Sequence, residues 1–180
     1  MKRLKTLIAV LAIFMLPICA NARKSNEIPA YRQKGYAGSV AVSDMFLFFA
    51  GFDTSHGYMF NEHHYLGGGF EAYVLVPFLN YSFVYCVEPF VEYKAYFLKR
   101  RSTPTASLRS GYCIGGSIYY TDNNDTQTPS TSGQFALNPS LGWDWGLKCG
   151  KGLSLSMGLV LLTDMSEINY APEISFGFNF

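Results

Sequence analysis

The chain has 180 residues, enough for one domain, and only 15% of them are charged whereas 17% are aromatic. Its 14 basic and 13 acidic residues nearly balance, so the net charge indicates neither a strongly basic nucleic-acid surface nor a polybasic membrane anchor. No segment after residue 22 offers the roughly eighteen consecutive apolar residues of a spanning helix. A closed β-barrel is the other structure that can place so apolar a chain in a membrane.

The first segment has the pattern of a secretory leader. Three basic residues within the first five precede an uncharged apolar stretch at 7–18, and small residues follow before Arg23. A positive start, a short apolar core and an A-x-A-like end are typical of a signal peptide. We therefore predict a signal peptide at 1–22 and an exported mature domain at 23–180. Lipid attachment at Cys19 is the disfavoured alternative, because the residue before it is bulky.

Apolar and polar residues alternate along most of the mature chain, which is the period of a half-buried strand. The clearest stretch runs from Phe135 to Leu147, where the odd positions are apolar and the even ones polar. Strands of about ten residues or more suit a tilted membrane crossing. The predicted strands are 34–43, 46–59, 64–75, 87–98, 103–120, 133–148, 153–163 and 171–180.

The connections between these strands alternate in length. Those at 76–86, 121–132 and 164–170 are long, and the links between them are short and turn-like, although the first outer connection, near Ser43 and Asp44, is shorter than this pattern predicts. Tight periplasmic turns and long outer loops are the rule in outer-membrane barrels. Residues 23–33 are predicted to be a loose periplasmic lead-in.

The residues of the polar face separate a membrane barrel from a soluble one. That face is rich in glycine, as at Gly67, Gly69, Gly142 and Gly158, although a solvated outer face has no steric need for glycine. The interior of an eight-stranded barrel is just wide enough for side chains to fill, so small residues belong inside and the apolar face meets lipid. The predicted fold is all-β, a closed antiparallel up-and-down transmembrane β-barrel of about eight strands. A secreted, soluble, lipocalin-like ligand-binding barrel is the alternative.

Charged residues also occur on the polar faces of the predicted strands. Enclosed charges must be paired or hydrated, since the burial of an unpaired charge is prohibitive. They can form a plug of ion pairs or line a narrow pore, and the small lumen favours the plug. Arg109 is predicted to point inward and to pair with Glu92 across the intervening hairpin. The predicted barrel-interior charge network is Asp53, Glu71, Glu92, Lys94, Arg109, Asp144, Lys148 and Glu173.

Two local features carry a family resemblance. The segment at 54–61, TSHGYMFN, followed by YLGGG at 65–69, resembles a hairpin of small bacterial outer-membrane β-barrel domain proteins, the group that includes OmpX and the OmpA barrel. The chain also ends on Phe180, with Phe176 and Phe178 in alternation, and these three phenylalanines look like an assembly signal. The resemblance implies localisation in the cell outer membrane, outer-membrane lipid and the outer-membrane assembly machinery as partners, a monomer, and a structural or surface-interaction role.

No motif predicts catalysis, a cofactor or a metal site. His56 lies on an apolar face and His63 and His64 lie at a turn, which is unlike a set of converging metal ligands. The predicted protein is not an enzyme, and a lipid-modifying outer-membrane barrel enzyme is the second alternative, since such enzymes need a serine and a carboxylate beside one histidine. The odd number of mature cysteines, Cys86, Cys113 and Cys149, predicts shielded thiols and no disulfide framework.

Overall fold

A computed structural model of the protein describes residues 32–45, 49–75, 82–119, 130–147, 149–164 and 168–180. Each strand pairs antiparallel with the next, and β1 pairs with β8, so the sheet closes on itself. The predicted closed, up-and-down barrel of eight strands is therefore confirmed. The predicted signal peptide at 1–22 lies outside the described residues. The strands are β1 (Gly35–Met45), β2 (Phe49–Met59), β3 (His64–Leu75), β4 (Ser82–Tyr96), β5 (Ser102–Tyr119), β6 (Ser130–Gly146), β7 (Gly152–Thr163) and β8 (Ile168–Asn179).

Three strands begin earlier than the periodicity predicted. β4 begins at Ser82, β6 at Ser130 and β8 at Ile168, so the predicted long connections are correspondingly shorter. Residues 83–87 have apolar or aromatic side chains at consecutive positions, which hides the period of two. They are a strand because they pair with the end of β5, a long-range contact that local alternation cannot reveal.

The apolar stripes face outward and the polar stripes face the lumen. On β6 and β7 the outward side chains are exposed, with Leu141 at 69% and Met157 at 63%, whereas Asn138 and Asp144 on the other face are buried. This is the reverse of a soluble barrel, which encloses its apolar side chains. Among the described residues, no helix is long and apolar enough to cross a bilayer.

Glycine lines the lumen where neighbouring strands approach most closely. A Cβ at Gly69 would overlap the backbone oxygen of Thr54, and one at Gly57 would overlap the backbone of Leu66 and Gly67. Backbone atoms cannot move aside as a flexible side chain can. These positions of β2 and β3 therefore require glycine.

The links between β2 and β3, between β4 and β5 and between β6 and β7 lie at one end of the barrel. Between β2 and β3, the Asn61 side chain accepts hydrogen bonds from the backbone N–H groups of His63 (2.8 Å) and His64 (3.0 Å). Between β6 and β7, Gly150 has a φ of 81°, which L side chains rarely adopt. We call this end the turn rim; its described residues are 32–34, 60–63, 97–101, 149–151 and Phe180.

Candidate functional site: the charged lumen of the barrel

The middle of the lumen is organised around one guanidinium. Arg109 on β5 donates through Nη2 to Asp53 (3.2 Å), through Nη1 to Glu71 (3.2 Å) and through Nε to Glu92 (3.4 Å). Its carbon Cζ lies 4.8 Å from the centre of the Phe90 ring, a cation–π distance. All three carboxylates are almost completely buried. A single arginine thus joins β2, β3, β4 and β5, which the planar, five-donor guanidinium can do and a lysine cannot.

A second acidic group extends from this centre toward the end opposite the turn rim. Glu173 on β8 accepts hydrogen bonds from the Asn138 amide (2.6 Å) and the Tyr73 hydroxyl (3.1 Å). The hydroxyl of Ser43 donates to the second oxygen of Glu71 at 2.6 Å. Neutral donors therefore bind the Glu173 carboxylate and the oxygen of Glu71 that Arg109 does not contact, as buried polar groups require.

A third group lies in the lumen at the turn rim. Arg32 donates to the Asp144 carboxylate (3.2 Å) and to the backbone carbonyls of Leu98 (3.0 Å) and Arg100 (2.7 Å). Its guanidinium lies 4.5 Å from the centre of the Tyr96 ring. The predicted loose lead-in at 23–33 is therefore wrong at its last residues, because Arg32 is buried and anchored to β4, β6 and the turn between β4 and β5.

Little space remains between these groups. A cavity of about 20 Å³ separates the Arg109 and Asp144 groups and is lined mainly by serine and threonine hydroxyls. That volume holds about one water molecule. Toward the turn rim the lumen widens into a pocket of about 530 Å³, with Lys94, Tyr65 and Tyr96 among its lining residues. Among the described residues, the side chains thus fill the middle of the barrel, as the plug interpretation expects.

The structure brings together most of the residues proposed for the interior network. Asp53, Glu71, Glu92 and Arg109 form the central group, while Lys94 lies 3.5 Å from Glu92 on the same strand. Asp144 belongs to the turn-rim group and Glu173 to the opposite one, so the network has three parts. Lys148 lies outside the described residues.

Three contributors were missed in the sequence. Glu88 is buried in the lumen and shares the even-numbered face of β4 with Glu92, so the alternation itself contained the signal. The neighbouring Pro89, on the lipid-facing side, interrupts the apparent strand. Tyr73 has the inward parity of Glu71, but its aromatic ring suggested the lipid face. Arg32 precedes the first strand and has no periodicity to reveal it.

Two cysteines in the lumen form a disulfide. Cys86 on β4 and Cys113 on β5 are bonded, with their Cα atoms 6.2 Å apart, while Cys149 keeps its thiol. The prediction of three shielded thiols is wrong, because the number and spacing of cysteines contain no information about the register of the strands that carry them. Both cysteines have inward parity and lie at similar distances from the β4–β5 turn, which places them side by side.

The disulfide makes a testable prediction about the mature protein isolated from membranes. Alkylation after denaturation without reduction should modify Cys149 alone, and reduction should release two more thiols, as counted by intact mass spectrometry. A Cys149→Ser control should incorporate no label before reduction. Loss of the bond, in a Cys86→Ser/Cys113→Ser variant, should cost about 2–4 kcal/mol of stability. Three reactive thiols before reduction would contradict the pairing.

The histidines lie outside the lumen. His56 hydrogen-bonds to the Tyr36 hydroxyl (2.6 Å) and to Thr54 (3.0 Å), and the His64 ring stacks on Tyr93. His63 contacts the backbone carbonyl of Tyr96 at 2.7 Å. These are contacts of an interfacial belt, where amphipathic rings meet both lipid and water. In the described part of the chain, no group of three or more His, Cys, Asp or Glu could hold a metal ion.

Comparison with known proteins gives a likeness of fold. No family model matches the sequence, and no curated protein matches it. The N-terminal β-barrel domain of Pseudomonas aeruginosa OprF is similar in structure, with 11% identity, a TM-score of 0.53, and coverage of 82% of this chain and 98% of that one. Neisserial surface protein A is similar with 12% identity, a TM-score of 0.52, and coverage of 81% and 94%. The chain has the fold of these small outer-membrane barrels.

Proposed function

We propose that the chain is a non-enzymatic integral outer-membrane protein with a structural or surface-interaction role. The observation that carries this proposal is the distribution of side chains across the barrel wall. The interior is polar and filled by ion pairs, whereas the exterior exposes rows of Leu, Val, Ile, Phe, Tyr and Trp. An exposed apolar band of this extent is unfavourable in water and favourable in lipid. It argues against the soluble ligand-binding barrel, whose apolar face would be inside.

The filled lumen supports a structural role over transport. The central guanidinium and its three carboxylates occupy the cross-section, and the nearby cavity has room for about one water molecule. Solutes of ordinary size cannot pass such a constriction. The surface available for contact with molecules outside the cell is then the end opposite the turn rim, where the connections 76–81 and 120–129 leave the barrel.

The arrangement of the histidines supports the non-enzymatic part of the proposal. A hydrolase-type site needs a histidine between a nucleophile and a carboxylate. Among the described residues, the hydrogen-bond partners of His56, His63 and His64 are hydroxyls and a backbone carbonyl. A lipid-modifying enzyme stays the alternative, and unaltered lipid A in a strain that overexpresses the protein would count against it.

We also propose that Phe176, Phe178 and Phe180 form the recognition strand for the outer-membrane assembly machinery. Phe176 and Phe180 are exposed on the outer face near the turn rim, where a second protein can reach them. Phe178 is covered by the Phe180 ring and by Lys151, whose ammonium lies 5.8 Å from its centre. A Phe176→Ala/Phe180→Ala variant should be exported normally and should be recovered less in the membrane fraction.

Fractionation of a bacterial host with an outer membrane tests the central proposal. The mature protein should begin at Arg23, sediment with outer membranes and resist extraction by alkaline carbonate, because its apolar exterior stays in lipid. A periplasmic soluble protein and a peripheral membrane protein serve as the two controls. Recovery of the mature chain in the soluble periplasmic fraction would contradict the proposal.

A further inference from the structure

The charges outside the lumen are divided between the two ends of the barrel. All exposed or half-exposed cations of the described residues outside the lumen lie at the turn rim: Lys34, Lys99, Arg100, Arg101 and Lys151. At the opposite end, the described charged residues are Asp44 and Asp164. The sequences that connect the strands there, 46–48, 76–81, 120–129 and 165–167, contain no lysine or arginine.

The cations of the turn rim are largely available to a partner. Lys99 pairs with Glu62 at 3.0 Å but remains 70% exposed. For the side chains of Lys34, Arg100 and Arg101, no carboxylate lies within ion-pair distance among the described residues. A shallow groove of about 530 Å³ lies between Lys34 and Lys99, and the Glu62 carboxylate that pairs with Lys99 also lines it.

Exposed apolar side chains adjoin these cations. Phe97 and Leu98 immediately precede Lys99 in the chain and are 57% and 43% exposed. On the neighbouring strand Trp143 and Trp145 are 42% and 40% exposed, and the indole N–H of Trp143 donates to Ser102 at 2.7 Å. Aromatic rings beside cations are typical of the depth at which lipid headgroups meet acyl chains. A water-soluble acidic partner would contact the cations but leave the apolar part of this surface uncovered.

We propose that the turn rim, centred on Lys99, Arg100 and Arg101, binds the phosphate headgroups of anionic phospholipids such as phosphatidylglycerol in the periplasmic leaflet. The proposal rests on the proposed function for its membrane and its orientation. Guanidinium groups bind phosphate oxygens through two parallel hydrogen bonds, and the tryptophans contact the first methylenes of the chains. The acidic opposite end has no such groups for lipid phosphates.

The test measures lipid preference in detergent, which does not depend on cellular location. Native mass spectrometry of the purified mature protein, mixed with equal amounts of phosphatidylglycerol and phosphatidylethanolamine, should show preferential retention of phosphatidylglycerol. An Arg100→Gln/Arg101→Gln variant should lose about fivefold of that preference for each charge removed. The matched variant Arg100→Lys/Arg101→Lys keeps both charges and should retain most of it.

Equal retention of the two lipids by the wild-type protein would overturn the proposal. So would an unchanged preference in the glutamine variant, since the cations would then not be the binding groups. Retention on purified peptidoglycan that the glutamine variant loses, without any phospholipid preference, would assign the rim to the cell wall instead. If fractionation places the protein outside the membrane but the charge-dependent preference persists, the proposed function fails and the lipid site stands.

Discussion

Replacement of Arg109 by leucine should lower the free energy of unfolding by about 3–5 kcal/mol. The leucine is close in size to the apolar part of arginine, but it leaves three buried carboxylates without their shared cation. Asp53 and Glu71 are 0% and 2% exposed, so water cannot easily hydrate them in its place. The one-water cavity beside Arg109 allows only a small compensation.

The measurement is urea-induced unfolding in lipid vesicles, followed by tryptophan fluorescence. Asp44→Asn is the control, because it removes an exposed charge at the end opposite the turn rim and surface substitutions usually change stability by less than about 0.5 kcal/mol. An unchanged unfolding midpoint in Arg109→Leu would show that the central group does not hold the barrel together.

A second substitution in the Arg109→Leu background shows whether Asp53 or Glu92 is stabilised more by Arg109. Asp53→Asn should recover more stability than Glu92→Gln, because Glu92 keeps Lys94 as a partner at 3.5 Å whereas the only ion pair of Asp53 is with Arg109 in the described part of the barrel. Equal recovery in the two double variants would indicate that Lys94 does not stabilise Glu92.

Replacement of Arg32 by leucine should lower the free energy of unfolding by about 3 kcal/mol. Its guanidinium connects Asp144 with two backbone carbonyls of the β4–β5 turn and covers the Tyr96 ring. An Arg32→Lys variant should recover only part of the loss, because an ammonium cannot present the same planar set of donors.

Gln33→Leu is the control for this prediction, since Gln33 is adjacent to Arg32, is exposed and carries no charge. Urea unfolding measures the stability of the three variants, and hydrogen exchange at the β4–β5 turn reports whether the turn loosens. If Arg32→Leu matches the wild type in both measurements, residues 32–34 do not anchor the turn rim.

The sequence predicts which side chains lie on the inner and outer faces of the barrel, because the alternation of apolar and polar residues is a property of each strand alone. Asp53, Glu92 and Arg109 were each placed on the inner face from their own strands alone, and the structure has them there. The contact of Arg109 with three strands depends on the register of β2, β3 and β4, which is a property of the closed sheet. The alternation within one strand therefore predicts whether a side chain points inward or outward. Its contact partner depends on the register of the strands in the closed barrel.

The errors occurred where periodicity is absent or was not combined with register. Arg32 lies before β1, so no pattern marks it as part of the lumen. Glu88 has the inward position in the alternation of β4, but it is next to Pro89. The predicted strand also begins at 87, only one residue before Glu88. The number and spacing of the cysteines do not predict a disulfide, although the positions of Cys86 and Cys113 around the β4–β5 turn make them neighbours.

The position of the disulfide has a consequence for the order of assembly. Cys86 and Cys113 belong to one hairpin, so their bond can form as soon as β4 and β5 meet in an oxidising compartment, before the ring is complete. The closing pair is elsewhere: Ser39–Met45 of β1 against Glu173–Asn179 of β8, a shorter run than the pairing of β5 with β6. A disulfide between β1 and β8 would close the barrel as soon as it formed. A disulfide between β4 and β5 cross-links only one hairpin, so the sheet can stay open until β1 pairs with β8 in the membrane.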